Sequence, residues 1–207
     1  NRQCQMQYGA QADADYPEIF IYNLPIPDIL NGLEGTDNVR PALVKGVKRL
    51  AGIGVDFVTM PCNTAHHWYK YMAQAIDVPF MHIVEETAKK AVAEGRSKLG
   101  LLSTITTVKS GIYDEIFKKY EIELIKTEDQ DELTGVIENL MAGKVLDEDR
   151  AKVVAQVEGM VDRGAEGVVL GCTEFPLIVR QGDFGGDVVL YDTIEILAEA
   201  AVRFAGG

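Results

Sequence analysis

Two short stretches hold the residues with the most chemistry to offer: TMPCNTAHHW at 59–68 and LGCTEFPLI at 170–178. In each, an apolar run ends in a cysteine, Cys62 or Cys172, and turns polar at once, into Asn63-Thr64 and Thr173-Glu174 respectively. Asn and Thr favour helix N-caps, and an acidic residue suits a helix's first turn, so each thiol is expected at the mouth of a helix. Unpaired N–H groups and the helix dipole stabilise negative charge there, which lowers a thiol pKa and also seats a carboxylate. The chemistry on offer is a thiolate beside an anionic ligand. One cysteine at a strand end is ordinarily a small buried apolar residue. Two cysteines in matching contexts point instead to a site.

The matching contexts form an internal repeat. GVDFVTMPC, Gly54 to Cys62, and GAEGVVLGC, Gly164 to Cys172, have the same length, and each follows an amphipathic helix and precedes a polar turn. Two related half-units are implied. In open α/β sheets ligands bind beyond the carboxyl ends of the strands, where both cysteines fall. Two such units facing each other would put both thiols in one cleft.

The intervening chain alternates short β-rich runs with longer amphipathic ones, the βαβ rhythm of a parallel sheet. Strands are expected at EIFIYNL (18–24), DFVTM (56–60), FMHIV (80–84), KLGLLS (98–103), IELIK (122–126) and GVVLG (167–171). Helices are expected at RPALVKGVKRLAG, from Thr64 to about Ile76, at ETAKKAVAEG, near SGIYDEIFKKY, at DELTGVIENLMAG, at DEDRAKVVAQVEGMVDRG and at DTIEILAEAAVRFAG. Breaks at Val78-Pro79 and Gly185-Gly186 divide the chain into a first α/β domain, 1–78 plus 187–207, and a second, 79–186. The chain opens at Asn1 in helix-like sequence, NRQCQMQYGA, so a preceding segment is expected to be missing.

Composition bounds the function. The 207 residues are 47% apolar, enough to bury one large core or two small ones, and no apolar run approaches the length of a membrane span. A net charge of −12, with the lysines spread among acids, argues against nucleic acid. Small molecules are the expected partners. Cys4, Cys62 and Cys172 share no CxxC spacing, so neither a zinc site nor a thioredoxin-like pair is suggested, and a reducing, cytoplasmic compartment fits. Cys4, in a polar N-terminal helix, reads as incidental.

PCNTAH at 61–66 and GCTE at 171–174 resemble the two signature cysteine motifs of the aspartate/glutamate racemases, most closely the archaeal-type aspartate racemases. RPAL at 40–43, EETAKK at 85–90, and GLLSTITT with SGIY at 100–113 match in the same order, over essentially the whole chain. The resemblance implies two similar flavodoxin-like parallel-sheet domains related by a pseudo-twofold axis, with the active site in the cleft between them. It also implies a homodimer, an amino-acid substrate, and no cofactor or metal. Cys62 and Cys172 would flank Cα as base and acid, exchanging roles with direction. Asn63, Thr64, Thr104, Thr107 and Thr173 would hold the substrate's α-amino and α-carboxylate groups, Glu174 would orient the amino group, and His66 would line the cleft. A two-sided proton transfer suits thiols on general grounds, since a group titrating near neutral pH serves in either state. His67, about 100° around the helix from His66, is expected in a solvated or packing role.

The match breaks at two positions. The family's arginine after IPD is Ile29 here, and its lysine before Ala-Gly is Met141, with Lys144 close by. Those cations are the ones the family is thought to set against a side-chain carboxylate, so the resemblance leaves the substrate open between aspartate and a neutral amino acid. Other readings stand beside it: a superfamily relative acting as a hydantoin racemase, decarboxylase or isomerase, a non-catalytic two-lobed binding protein, or a redox protein whose thiols pair.

Overall fold

The computed structural model of the chain describes residues 1–185 and 188–206. In chain order the helices and strands are α1 (Arg2–Tyr8), α2 (Val39–Ala51), α3 (Tyr69–Ala73), α4 (Ile83–Ala93), β1 (Lys98–Leu102), α5 (Ile105–Ser110) and α6 (Ile112–Lys119). They continue with β2 (Glu123–Lys126), α7 (Gln130–Met141), α8 (Asp147–Asp162), β3 (Gly167–Leu170), β4 (Val189–Asp192) and α9 (Thr193–Gly206).

The four strands form one parallel sheet in the order β2-β1-β3-β4, the flavodoxin-like order for a doubly wound sheet. Central β1 and β3 are buried on both faces, which is why KLGLL and GVVL read as continuous apolar runs instead of alternating ones. On one face of the sheet α7 presents Leu133, Val136, Ile137 and Leu140 at helical spacing, and they pack with Val153, Val157 and Met160 of α8. On the other face Ile83, Val84 and Ala88 of α4, Tyr113 and Phe117 of α6, and Ile196 and Leu197 of α9 close a second core. A third core belongs to the first unit, where Val39, Leu43 and Val47 of α2 meet Val58, Trp68, Met72 and Phe80.

The first unit departs from the strands expected of it. DFVTM and FMHIV contribute only a single parallel bridge, Val58 to Phe80, and the chain enters α4 at Ile83 within the second of these runs. EIFIYNL has no strand partner among the described residues, and Ile19 and Ile21 are 61% and 89% exposed. A strand is defined by its neighbour's backbone as much as by its own residues, so β propensity alone does not make one. A groove of about 860 Å³ runs between residues 17–20 and 54–59 and under α1 and α9; neither Cys62 nor Cys172 lines it.

Two helical expectations are also refined, and one strand is added. The helix from Thr64 is a 3-10 turn, Thr64–Trp68, followed by the short α3. The SGIYDEIFKKY helix is interrupted at Gly111, whose φ of 68° ends α5 and starts α6. The run before DTIEILAEAAVRFAG forms β4, a strand not expected there. Of the segment assigned from sequence to the first unit, 187–207, β4 is hydrogen-bonded to β3 and α9 packs on α4 and α1. The Gly185-Gly186 break falls partly on Gly186, outside the described residues.

Candidate active site

Each thiol sits where an apolar segment ends. Cys62 follows the Val58 bridge through Met60-Pro61, its N–H donating to the Met60 carbonyl at 2.8 Å, and Asn63 then occupies the N-cap position of the 3-10 turn without a side-chain capping bond. Cys172 lies two residues beyond the end of β3. Gly171 between them donates its N–H to Leu102 O at 2.7 Å, and a Cβ there would meet Leu101 Cδ1 at 2.7 Å and Leu102 O at 2.9 Å. Only glycine lets the chain approach β1 this closely before it turns to present the thiol. After Cys172 comes another 3-10 turn, Phe175–Leu177. Both thiols therefore stand before short turns instead of full helices.

Burial decides the thiols' acidity. Backbone N–H groups of Thr64 and Ala65 do pull the Cys62 pKa down, as does that of Glu174 for Cys172, but burial outweighs them and both thiols are raised. The expectation of thiols lowered by helix ends is thus corrected: desolvation of the charged form wins. Glu174 adds to the effect at both sites, and Cys62 adds further to Cys172, so the three groups share one electrostatic environment. The Cys172 thiol donates to Glu174 Oε2 at 3.0 Å, and the Thr173 hydroxyl donates to the same oxygen at 2.8 Å. All three cysteines are unpaired, so no disulfide joins the two thiols.

Three of the expected substrate contacts meet beside the Cys62 turn. The hydroxyls of Thr64, Thr104 and Thr107 form a triangle with separations of 3.1, 2.9 and 2.9 Å. All three residues are buried, and Thr104 also caps α5 by accepting from Thr107 N at 3.1 Å. A triangle of hydroxyls can satisfy itself when empty and can turn its protons toward a carboxylate when one arrives.

Asn63 has a different setting. Its carboxamide oxygen accepts from Tyr113 Oη at 2.7 Å, and its Nδ2 donates to Thr193 Oγ1 at 2.9 Å. His66 is 1% exposed, and its ring lies in a cluster with Tyr69, Phe80 and His82. Its Nδ1 lies 2.8 Å from the Cys62 carbonyl while its Nε2 accepts from Ile83 N at 3.3 Å, so the ring is neutral with the proton on Nδ1. Burial holds its pKa down at about 4. His67 is exposed.

The three positions bearing on specificity also separate. Ile29 is 9% exposed within the first unit's core, Met141 is 59% exposed at the end of α7, and Lys144 is exposed just beyond it. The loop after Ile29 is tied to the second unit, with Thr106 Oγ1 donating to Leu30 O at 2.9 Å and Asn31 Nδ2 to Glu138 Oε1 at 3.2 Å. Thr193 lies in no motif that would single it out from sequence, while Thr106 and Tyr113 fall within the GLLSTITT and SGIY stretches without being picked out there as site residues.

Two α/β units, each carrying a thiol at the end of its repeat, are joined by the buried hydrogen bonds of Asn63 and Thr64, which define a two-lobed α/β fold with a polar junction. The sequence profile of the family described as Asp/Glu/Hydantoin racemase matches residues 2–201, and the chain belongs to that family. It is 40% identical over 122 residues to the broad specificity amino-acid racemase RacX of Bacillus subtilis, a match covering 59% of this chain and 53% of that protein. The chain thus spans about half the length of that relative. Picrophilus torridus aspartate racemase superposes with a TM-score of 0.83 at 29% identity, over 99% of this chain and 87% of that one. An aspartate racemase homologue from Pyrococcus horikoshii gives 0.81 at 25% identity, over 100% and 92%. The expected fold class, α/β with two flavodoxin-like domains, is the fold of this chain. Among the described residues no helix is long and apolar enough to cross a membrane.

Proposed function

We propose that the protein is a cofactor-independent amino-acid racemase in which Cys62 and Cys172 work on opposite faces of Cα. The observation that carries this reading is the shared environment of the two thiols, with Glu174 acting on both and hydrogen-bonded to one. Raised thiol pKa values keep both sulfurs protonated until a ligand arrives. An amino acid brings an ammonium group, and its positive charge beside Glu174 offsets the carboxylate and favours one thiolate. In one direction the Cys62 thiolate takes the α-proton, the Cα–H electron pair moves into the substrate carboxylate, and the Cys172 thiol returns a proton to the other face. The reverse reaction exchanges the roles. Charge developing on the carboxylate is met by the Thr64, Thr104 and Thr107 hydroxyls, whose oxygens already lie together.

The substrate is read as a neutral amino acid in preference to aspartate. Ile29 supplies an apolar buried surface, and Arg40, another cation of the first unit, stacks over the Tyr71 ring at 4.9 Å. A side-chain carboxylate desolvated without a cation is disfavoured by on the order of several kcal/mol. Similarity to a broad-specificity racemase supports the same choice. The test is chiral chromatography and mass spectrometry of the common amino acids incubated with the protein in D₂O. The expected result is inversion with α-deuterium in the product, faster for at least one neutral amino acid than for aspartate, and a loss of about 10³-fold or more in Cys62→Ser and Cys172→Ser. Carbon loss from the substrate would indicate a decarboxylase, and binding without exchange a solute receptor; aspartate as the best substrate would defeat the specificity reading.

A further inference from the structure

Asn63 directly follows Cys62 in the first unit, yet its side chain reaches into the second. Thr193 Oγ1 lies 3.0 Å from Leu170 O, the last carbonyl of β3, and a hydroxyl has a single proton to give it. Thr193 must therefore accept from Asn63, which fixes the carboxamide with Nδ2 toward Thr193 and Oδ1 toward Tyr113. The result is a one-directional chain: Tyr113 O–H to Asn63 Oδ1, Asn63 N–H to Thr193 Oγ1, Thr193 O–H to Leu170 O. It starts on α6, passes through the residue after one thiol, and ends two residues before the other. Tyr113, Asn63 and Thr193 are 1%, 2% and 0% exposed, so the chain is closed off from bulk solvent. Tyr113 is also near enough to Cys172 to feel its charge.

We propose that this chain sets the separation of the two sulfurs, which makes Tyr113 and Thr193 positioning residues for the two-base reaction. The proposal rests on the racemase reading for its kinetic consequence but not for its geometric one. Proton transfer to and from opposite faces needs both sulfurs within reach of one carbon at once, and small displacements are costly in such arrangements. Thr193→Val removes the donor to the Leu170 carbonyl and the acceptor of an Asn63 N–H, while Tyr113→Phe removes only the phenolic donor and keeps the ring packed on Phe117.

The experiment treats the full chain and its Thr193→Val, Thr193→Ser and Tyr113→Phe variants with 1,3-dibromoacetone and with iodoacetamide. Peptide mass spectrometry then measures the fraction with Cys62 and Cys172 bridged, and kcat and KM are measured in parallel. The expected result is a drop in bridged fraction of about fivefold in Thr193→Val and Tyr113→Phe, with each thiol still alkylated singly. The kcat should fall by about tenfold or more with KM nearly unchanged, and Thr193→Ser should restore both readouts. Bridging and kcat at parental levels in Tyr113→Phe would overturn the proposal, even if Thr193→Val fails to fold. A parent that cannot be bridged would overturn it as well. A parent that bridges in a Thr193- and Tyr113-dependent way without racemising any amino acid would support the positioning role and defeat the racemase reading instead.

Discussion

Cys172 and Glu174 form the most informative contact at the residue scale. The carboxylate oxygen accepts the thiol proton at 3.0 Å, and its charge raises both sulfurs after burial has already done so. Glu174→Gln removes the charge while keeping the shape, so both thiol pKa values should fall, Cys172 more than Cys62. The sign follows from what is lost: a negative neighbour disfavours thiolate, and without it thiolate appears at lower pH. Iodoacetamide labelling of each cysteine across pH, followed by mass spectrometry, checks this. A Cys172 profile that stays in place or moves to higher pH would show that Glu174 does not control it. The two cysteines and the triad of threonines could be picked out from sequence because each lies in a short motif. The direction of the thiol shift could not, because it depends on how much water the folded chain excludes.

Gly171 is the tightest approach between β1 and the turn that follows β3. β3 ends at Leu170, and the thiol two residues on is aimed by a turn pressed against β1, where a Cβ would fall 2.9 Å from a backbone oxygen. Gly171→Ala should therefore destabilise the fold by on the order of 1–3 kcal/mol and reduce racemisation beyond what the stability loss explains. Gly159 in α8 has nothing within 4 Å of its would-be Cβ, and Gly159→Ala should stabilise by up to about 1 kcal/mol. Urea midpoints of the two variants give the comparison, and equal effects would remove the case for a close approach at 171. Strands β1 and β3 were legible as unbroken apolar runs. EIFIYNL looked equally strand-like and pairs with nothing among the described residues, since pairing depends on a neighbour that the run itself does not specify.

For the whole molecule, two buried histidines tie stability to pH. Burial lowers His66 from 6.5 to about 4 and His82 to about 3, and His82 Nδ1 has no partner among the described residues. The unfolded chain takes up these protons first as pH falls below about 6.5, so the stability contributed by the neutral rings is present above that pH and is lost progressively down to the folded values. His66 alone corresponds to about 3 kcal/mol over this window. Urea unfolding at a series of pH values should show the decline between about pH 6.5 and 4, and His82→Phe should flatten part of it. Carboxylates whose folded pKa is lowered, such as Glu115, stabilise the fold above about pH 4.5 and lose that contribution only at more acid pH. A variant that declines as steeply as the parent would assign the effect elsewhere.

The sequence by itself determined which residues could do chemistry and which class of fold would carry them. The repeat ending in Cys62 and Cys172, the polar residues after each, and the apolar runs of β1 and β3 are local patterns, written within a few residues of one another. Only the tertiary structure decided what those residues touch. Asn63 meets Thr193 across 130 positions and Tyr113 across 50, and Thr64 meets Thr104 and Thr107 across 40 and 43. No spacing rule reaches that far, because such contacts follow from how the two units pack and how much water that packing removes. For the same reason the fold turned two sulfurs expected to be acidic into desolvated thiols with raised pKa values, Cys172 buried and Cys62 half-buried, and hydrogen-bonded Cys172 to Glu174.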